Sequence, residues 1–225
     1  DYGVVPIENS IGGSVNPTLD SLGVSSVKII GETTLPIRHQ LLSKGEELSK
    51  IKKVYAHEQA LMQCSAWLRV NLDGVELIST SSNAAAAAKA KSDAKIAAIA
   101  GAEAAEIYEL KVLAKNIEDF RGNSTRFIVL GLKIPKATGS DRTSIMFSAS
   151  DEAGSLYGIL GILATAEINM SRIESKPSGE GLWDYTFFVD FLGHQEDPKV
   201  HEAILKMKTK CRILKVLGSY PISII

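Results

Sequence analysis

The sequence predicts an α/β protein in two parts, an α/β region over residues 1–132 and a compact β-α-β-β-α-β region over residues 143–225. Three observations carry this reading. In the first part, short runs of β-branched and aliphatic residues alternate with helical stretches. A stretch holding Pro135, Gly139, Ser140 and Asp141 then interrupts the apolar pattern, which marks residues 133–142 as a linker. Beyond it the order strand, helix, strand, strand, helix, strand is that of the ferredoxin-like split βαβ.

Element by element, residues 1–6 read as the inside of a strand, with no initiator Met and no signal-peptide pattern, so the sequence is expected to lack its natural start. Residues 27–34 and 37–43 read as strands, the second with His39 inside it, and residues 51–56 as another. A helix is predicted over residues 58–71, a strand over 75–80, and an alanine-rich helix over 84–91 capped by Ser82 and Asn83. Small side chains allow that helix to sit close to a sheet. A strand over 95–99, a helix over 102–108 and a strand over 125–130 complete the first part. In the second part the strands are expected over 143–148, 171–175, 183–191 and 212–219. The helices are expected over 154–166 and 198–209, the latter opened by Pro198 with Asp197 as cap.

Composition narrows the function classes. The chain has 225 residues, 45% of them hydrophobic and 23% charged, enough to bury a substantial core. Lys and Arg number 25 against 26 Asp and Glu, so nothing electrostatic favours a nucleic acid or an anionic membrane as partner. The apolar stretch over residues 156–166 is too short to span a bilayer. Cys64 and Cys211 stand far apart, which reads as reduced thiols in the cytoplasm, and no Cys/His cluster has the spacing of a metal site.

Three segments carry chemistry. In the first, an apolar run enters Glu8-Asn9-Ser10 and then Gly12-Gly13. Polar side chains before a glycine turn belong at the ligand-binding edge of an open α/β sheet, and glycines let backbone N–H groups approach an anion. An ordinary strand-turn capped by Asn9 and Ser10 has the same pattern. In the second, a Gly/Asn loop delivers Thr125, Arg126 and Phe127 to the start of a strand: a hydroxyl donor, a partner for a carboxylate and a face for a ring. A turn followed by a strand, with Arg126 in a surface pair, also accounts for it. In the third, His57 lies between a strand and a helix, and Gln59 and Gln63 lie one turn apart on that helix.

Taken together, Pro6-Ile7-Glu8-Asn9-Ser10 with Gly13, His57-x-Gln59 with Gln63-Cys64, and Asn123-x-Thr125-Arg126-Phe127 resemble prephenate dehydratase in order and rough spacing. Gly154-Ser155-Leu156 and Ile173-Glu174-Ser175-Lys176-Pro177 resemble the two motifs of that family's C-terminal ACT domain. The family's Gly-Pro-x-Gly-Thr turn, expected several tens of residues upstream of Asp1, is absent. Ala56, Lys176 and Ser155 stand where many relatives have Ser, Arg and Ala.

The resemblance implies a two-lobed, periplasmic-binding-protein-like catalytic domain followed by the ACT domain. It implies conversion of prephenate to phenylpyruvate for L-phenylalanine synthesis, without metal or organic cofactor. Thr125 is then expected to assist departure of the ring hydroxyl, with Glu8 and Asn9 orienting it or the substrate. Ser10, Gly13, His39, His57, Gln59, Gln63, Ser81, Arg126 and Phe127 are the further pocket candidates. L-Phenylalanine is expected at Gly154, Ser155, Leu156, Asn169, Glu174, Ser175, Lys176 and Pro177, in a homodimer or homotetramer paired through ACT domains. Arogenate dehydratase and a solute-binding module without turnover are the competing readings. A nicotinamide dehydrogenase is set aside, because no G-x-G-x-x-G follows a strand.

Overall fold

The computed structural model describes residues 1–178 and 185–223. The chain opens with β1 (Gly3–Asn9), β2 (Gly13–Ser14), α1 (Asn16–Val24), β3 (Lys28–Pro36) and β4 (Gln40–Ser43). It continues through β5 (Lys53–His57), α2 (Glu58–Gln63), α3 (Ser65–Asn71), β6 (Glu76–Thr80) and α4 (Asn83–Ala90). Next come β7 (Ile96–Ala100), α5 (Ala102–Ile107), β8 (Lys111–Ala114) and β9 (Ser124–Gly131). The last part holds β10 (Asp141–Ser148), α6 (Ser155–Thr165), β11 (Met170–Pro177), β12 (Tyr185–Leu192), α7 (Pro198–Lys208) and β13 (Ile213–Pro221).

Two compact units result, and the sequence division near residue 132 is not where they part. Residues 36–124 form one; residues 1–35 join residues 125–225 in the other. The 36–124 unit has a five-stranded sheet in the order β6-β5-β7-β4-β8. Its β5 runs parallel to both β6 and β7, while β4 is antiparallel to β7 and β8. One face is covered by Ala60, Cys64, Leu68 and Leu72 on α2, α3 and the turn after them. On the other face Ala86, Ala87 and Ala90 of α4 lie against Ala98 and Ala100 of β7, so the alanine run gives close helix–sheet packing.

The other unit carries an eight-stranded sheet, β11-β12-β10-β13-β3-β9-β1-β2. Its first four strands with α6 and α7 are the split βαβ, with a core of their own around Ile145, Phe147, Ile159, Val189 and Met207. A second core crosses the join: Phe188, Leu217 and Tyr220 pack with Ile7, Leu19, Leu22, Ile29 and Ile128. The C-terminal domain is therefore fused to β1, β3 and β9 through shared burial. Polar groups hold the same join, since Lys215 Nζ donates to the carbonyls of Leu22, Gly23 and Ser25 at the exit of α1.

At the join β13 runs parallel to β3 with Gly218 opposite Ile29, and a Cβ on Gly218 would sit 2.0 Å from the Ile29 carbonyl oxygen. Backbone cannot yield there as a flexible side chain would. Gly218→Ala is expected to prise the two strands apart at a cost of about 1–3 kcal/mol. For a chain of this size that lowers Tm by roughly 2–12 °C in a thermal melt.

The structure corrects several expectations. The helix predicted over 58–71 breaks at Cys64, because the Asp119 carboxylate accepts from the Ala66 and Trp67 N–H groups and from Ser65 Oγ, capping α3 separately. His39 precedes β4 rather than lying inside a strand. The Asp197 side chain makes no cap bond to α7; its Oδ2 accepts from the His194 N–H at 2.7 Å. Neither α1 nor β8 was foreseen. Residues 183–184, at the start of a predicted strand, lie outside the described residues.

Candidate functional site

β1 leaves the core through a bulge at Ile7 and ends in polar residues. Its ladder with β9 pairs Pro6 with Phe127, then Glu8 with Arg126 and Asn9 with Thr125. Because side chains alternate along a strand, the last two pairs project to opposite faces of the sheet.

On one face Asn9 is held at both ends. Its Oδ1 accepts from the N–H groups of Ile11 (3.1 Å) and Gly12 (2.7 Å), and its Nδ2 donates to Thr125 Oγ1 at 2.9 Å. That bond occupies a lone pair of the hydroxyl and leaves its proton to be donated elsewhere. Gly13 closes the turn at φ +75°, a conformation that favours glycine, so its place here is set by backbone geometry. Ser10 lies exposed in the turn. Phe127, two residues from Thr125, is half-buried on the Thr125 face.

On the other face all three nitrogens of the Arg126 guanidinium donate hydrogen bonds. Its Nε donates to Glu32 (2.7 Å), Nη1 to Asp190 (2.7 Å) and Nη2 to the Tyr220 hydroxyl (2.9 Å). Arg142 shares the Glu32 carboxylate at 2.6 Å, and Ser144 Oγ bonds both Asp190 (2.6 Å) and Tyr220 (2.7 Å). Burial opposes the charge of Arg126, and Tyr220, Asp190 and Glu32 outweigh it, so its pKa stands above the usual arginine value. Burial and Asp190 push the Tyr220 hydroxyl up, so it remains protonated. Arg126 thus does not present its guanidinium beside Thr125, as a carboxylate-binding role would require. Glu8 lies 3.8 Å from Arg126 and 3.5 Å from Arg172, whose Nη2 donates to Ser14 Oγ at 2.6 Å.

The 36–124 unit carries a second group of candidates. Gln63 Oε1 accepts from His39 Nε2 (2.9 Å) and Asn123 Nδ2 (3.3 Å), which places the imidazole proton on Nε2, since an amide oxygen has none to give. Glu118, buried beside Arg38, accepts the His39 N–H at 2.9 Å. His57 caps α2, its Nδ1 accepting from the Gln59 N–H, and its own N–H donates to Asn83. His57 pairs with Thr80 across the parallel strands β5 and β6, and Ser81 follows directly. His57, Gln59 and Ser81 therefore lie exposed at the carboxyl edge of a parallel pair, where open α/β sheets take ligands. Cys64 is no nucleophile there: burial pushes its thiol up to about 12.

In the C-terminal domain Gly154 adopts φ +85° and opens α6, so Ser155 and Leu156 form its first turn. Asn169 precedes β11, its carbonyl accepting from the Leu192 N–H. Glu174 and Lys176 turn elsewhere. Glu174 accepts from Ser14 Oγ at 2.6 Å, and Lys176 pairs with Asp20 and reaches the Asn16 carbonyl. Their side chains thus grip the segment from β2 into α1 and not the opening of α6. Ser175 and Pro177 lie exposed.

Sequence reasoning passed over Glu32, Arg172, Asp190 and Tyr220. A signal existed for one of them: Asp190 interrupts Phe187-Phe188-Val189 and Phe191, and a carboxylate inside a core strand needs a buried partner. Among the described residues no group of three or more His, Cys, Asp or Glu side chains is arranged to hold a metal, and no helix is long and apolar enough to cross a membrane.

Fold and site define a two-unit α/β protein with polar strand-end side chains and a ferredoxin-like C-terminal domain. The sequence model of prephenate dehydratase matches residues 1–135 and that of the ACT domain residues 143–208. The chain belongs to the prephenate dehydratase family. It is 48% identical over 98% of its length to a bifunctional chorismate mutase/prephenate dehydratase of Aquifex aeolicus, and spans 61% of that relative. A solved prephenate dehydratase from Arthrobacter aurescens, in complex with L-Phe, is 37% identical with a TM-score of 0.89, over 98% of this chain and 75% of that one. The solved structure of GqqA, a quorum quenching acylase, is 28% identical with the same TM-score, over 99% of this chain and 82% of that one.

Proposed function

We infer that this chain supplies the prephenate dehydratase activity of its protein, converting prephenate to phenylpyruvate, CO2 and water. The observation that carries this is the 2.9 Å bond from Asn9 to Thr125 at the end of a strand ladder in the family's motifs. Prephenate bears a ring hydroxyl opposite a quaternary carbon. Loss of the ring carboxylate as CO2 returns the electron pair of its C–C bond to the ring, the hydroxyl departs, and aromaticity is gained.

The protein need only position the dianion and stabilise the leaving hydroxyl, which departs as water once protonated. The Thr125 hydroxyl is the donor to that oxygen, and the one proton consumed in making water is returned to it from solvent. Asn9 holds the Thr125 oxygen in place, and its own orientation is fixed by two turn N–H groups. Glu8 lies on the opposite face, so its part is to position this ladder. Ser10, Gly13 and Phe127 border the pair, and His39, His57, Gln59, Gln63 and Ser81 are the further contacts assigned to the substrate.

The functional domains are residues 1–132 and 143–225 with 133–142 between them. L-Phenylalanine is the effector, taken through the Gly154-Ser155-Leu156 turn, where a helix N-terminus faces an incoming carboxylate, together with Asn169. The C-terminal domains pair into a homodimer or homotetramer, and the two free thiols suit the cytoplasm.

The test is steady-state formation of phenylpyruvate from prephenate, with and without L-phenylalanine, with arogenate and an acylase substrate as controls. Turnover of prephenate, changed by L-phenylalanine, is the expected result. Preference for either control substrate, measured as kcat/KM, overturns the assignment.

A further inference from the structure

Charged residues of the C-terminal domain converge on the reverse face of the rungs that carry the chemistry. Asn9 and Thr125 form one pair of the β1–β9 ladder, and Glu8 and Arg126 the next. Three C-terminal strands reach Arg126 in a closed ring. Arg126 donates to Asp190 on β12 and to Tyr220 on β13; Tyr220 donates to Ser144 on β10; Ser144 donates to Asp190. The ring's donor directions agree all round, since Ser144 can give its proton to the carboxylate only while accepting one from Tyr220. Glu32 bridges Arg126 to Arg142, also on β10. On β11, Arg172 faces Glu8 and binds Ser14, which in turn donates to Glu174. Arg126 and Arg172 keep only 13% and 8% of their side chains exposed, so these bonds act in a low-dielectric setting.

The strands concerned are those flanking the expected effector segments. β10 leads into the Gly154 turn, and Arg172 lies three residues after Asn169. We propose that Asp190 and Arg172 are positioning residues supplied by the C-terminal domain: they hold Arg126 and Glu8, and through the ladder set the placement of Thr125 and Asn9, so that the effector acts on the reaction by shifting these two contacts. This rests on the function inferred above and adds the route by which regulation reaches the site. A buried arginine fork has discrete partners, so a small displacement of β11 or β12 changes which bonds are made.

Linkage gives the test. A coupling between sites is reciprocal for binding, so prephenate must alter L-phenylalanine affinity by the factor by which L-phenylalanine alters prephenate affinity. The experiment measures prephenate kinetics against L-phenylalanine, and L-phenylalanine binding by calorimetry, in the wild type, Asp190→Asn and Arg172→Gln. Arg172→Lys, which keeps the charge but loses the fork, serves should Arg172→Gln not fold. The expected result is L-phenylalanine binding within about threefold of wild type while its effect on kcat/KM shrinks toward one, with partial recovery in Arg172→Lys. A purely structural role would lower activity and leave the ratio with and without effector unchanged, which overturns the proposal alone. A wild type that turns over no prephenate or binds no L-phenylalanine overturns the inferred function, and this proposal with it.

Discussion

Thr125→Ala is expected to lower kcat for prephenate by about 10²–10⁴-fold, the range for a positioned proton donor, with little change in KM. The substitution removes the hydroxyl and with it the 2.9 Å bond from the Asn9 amide, which is itself fixed by the Ile11 and Gly12 N–H groups. Thr125→Ser restores the oxygen and should recover most of the loss. Thr125→Val, nearly isosteric, should not. Because Asn9 acts by holding Thr125, Asn9→Ala and the double variant are expected to be about as slow as Thr125→Ala alone, as groups that act as a unit are not additive. Additive losses in the double variant would separate the two residues and return Asn9 to direct contact with substrate. An unchanged kcat in Thr125→Ala would remove the threonine from the reaction altogether.

That pair was legible because both residues interrupt apolar strands. Asn9 ends a run of Val, Pro and Ile, and Thr125 begins one of Phe, Ile, Val and Leu, next to glycine turns. Position along a strand can be read from a sequence, whereas the face of a sheet is fixed by pairing. Arg126 shows the difference. Beside Thr125 in sequence it looked like a carboxylate binder, but alternation turns it to the other face, where its partners lie 64 and 94 positions away. The same applies to Glu174 and Lys176, whose partners Ser14 and Asp20 no local pattern names.

Elements failed to show where their stabilisation is tertiary. α1 buries only Leu19 and Leu22 and has no side-chain cap. β8 has four residues at a sheet edge, and the break between α2 and α3 is imposed by Asp119, more than 50 positions after Cys64. By contrast the α4 cap at Ser82 and the split βαβ order followed from local signals alone, as a helix cap and a two-residue period should.

Arg126→Met carries the largest expected cost in stability. The guanidinium sits among Glu32 and Asp190, whose side chains are 4% and 6% exposed, with Arg142 sharing Glu32. Removing it leaves Asp190 with hydrogen bonding from Ser144 but no cation, and Glu32 with Arg142 as its cation and a 3.4 Å bond from the Ser223 N–H. Breaking a buried pair from one side costs about 3–5 kcal/mol, chiefly for the charge left behind. At roughly 2–4 °C per kcal/mol in a chain of this length, Tm should fall by about 6–20 °C. Arg126→Lys keeps the charge but has no planar fork for three acceptors in different directions, so an intermediate fall is expected. Pairing Arg126→Met with Asp190→Leu removes one stranded carboxylate and should recover part of the loss, although neither added side chain restores an ion pair. Recovery in the double variant would locate the cost in the uncompensated charge. If the double variant melted lower still, by the sum of the single losses, the interaction between Arg126 and Asp190 would contribute nothing of its own, and the join between β9 and the C-terminal strands would rest on the core of Phe188, Leu217 and Tyr220 instead.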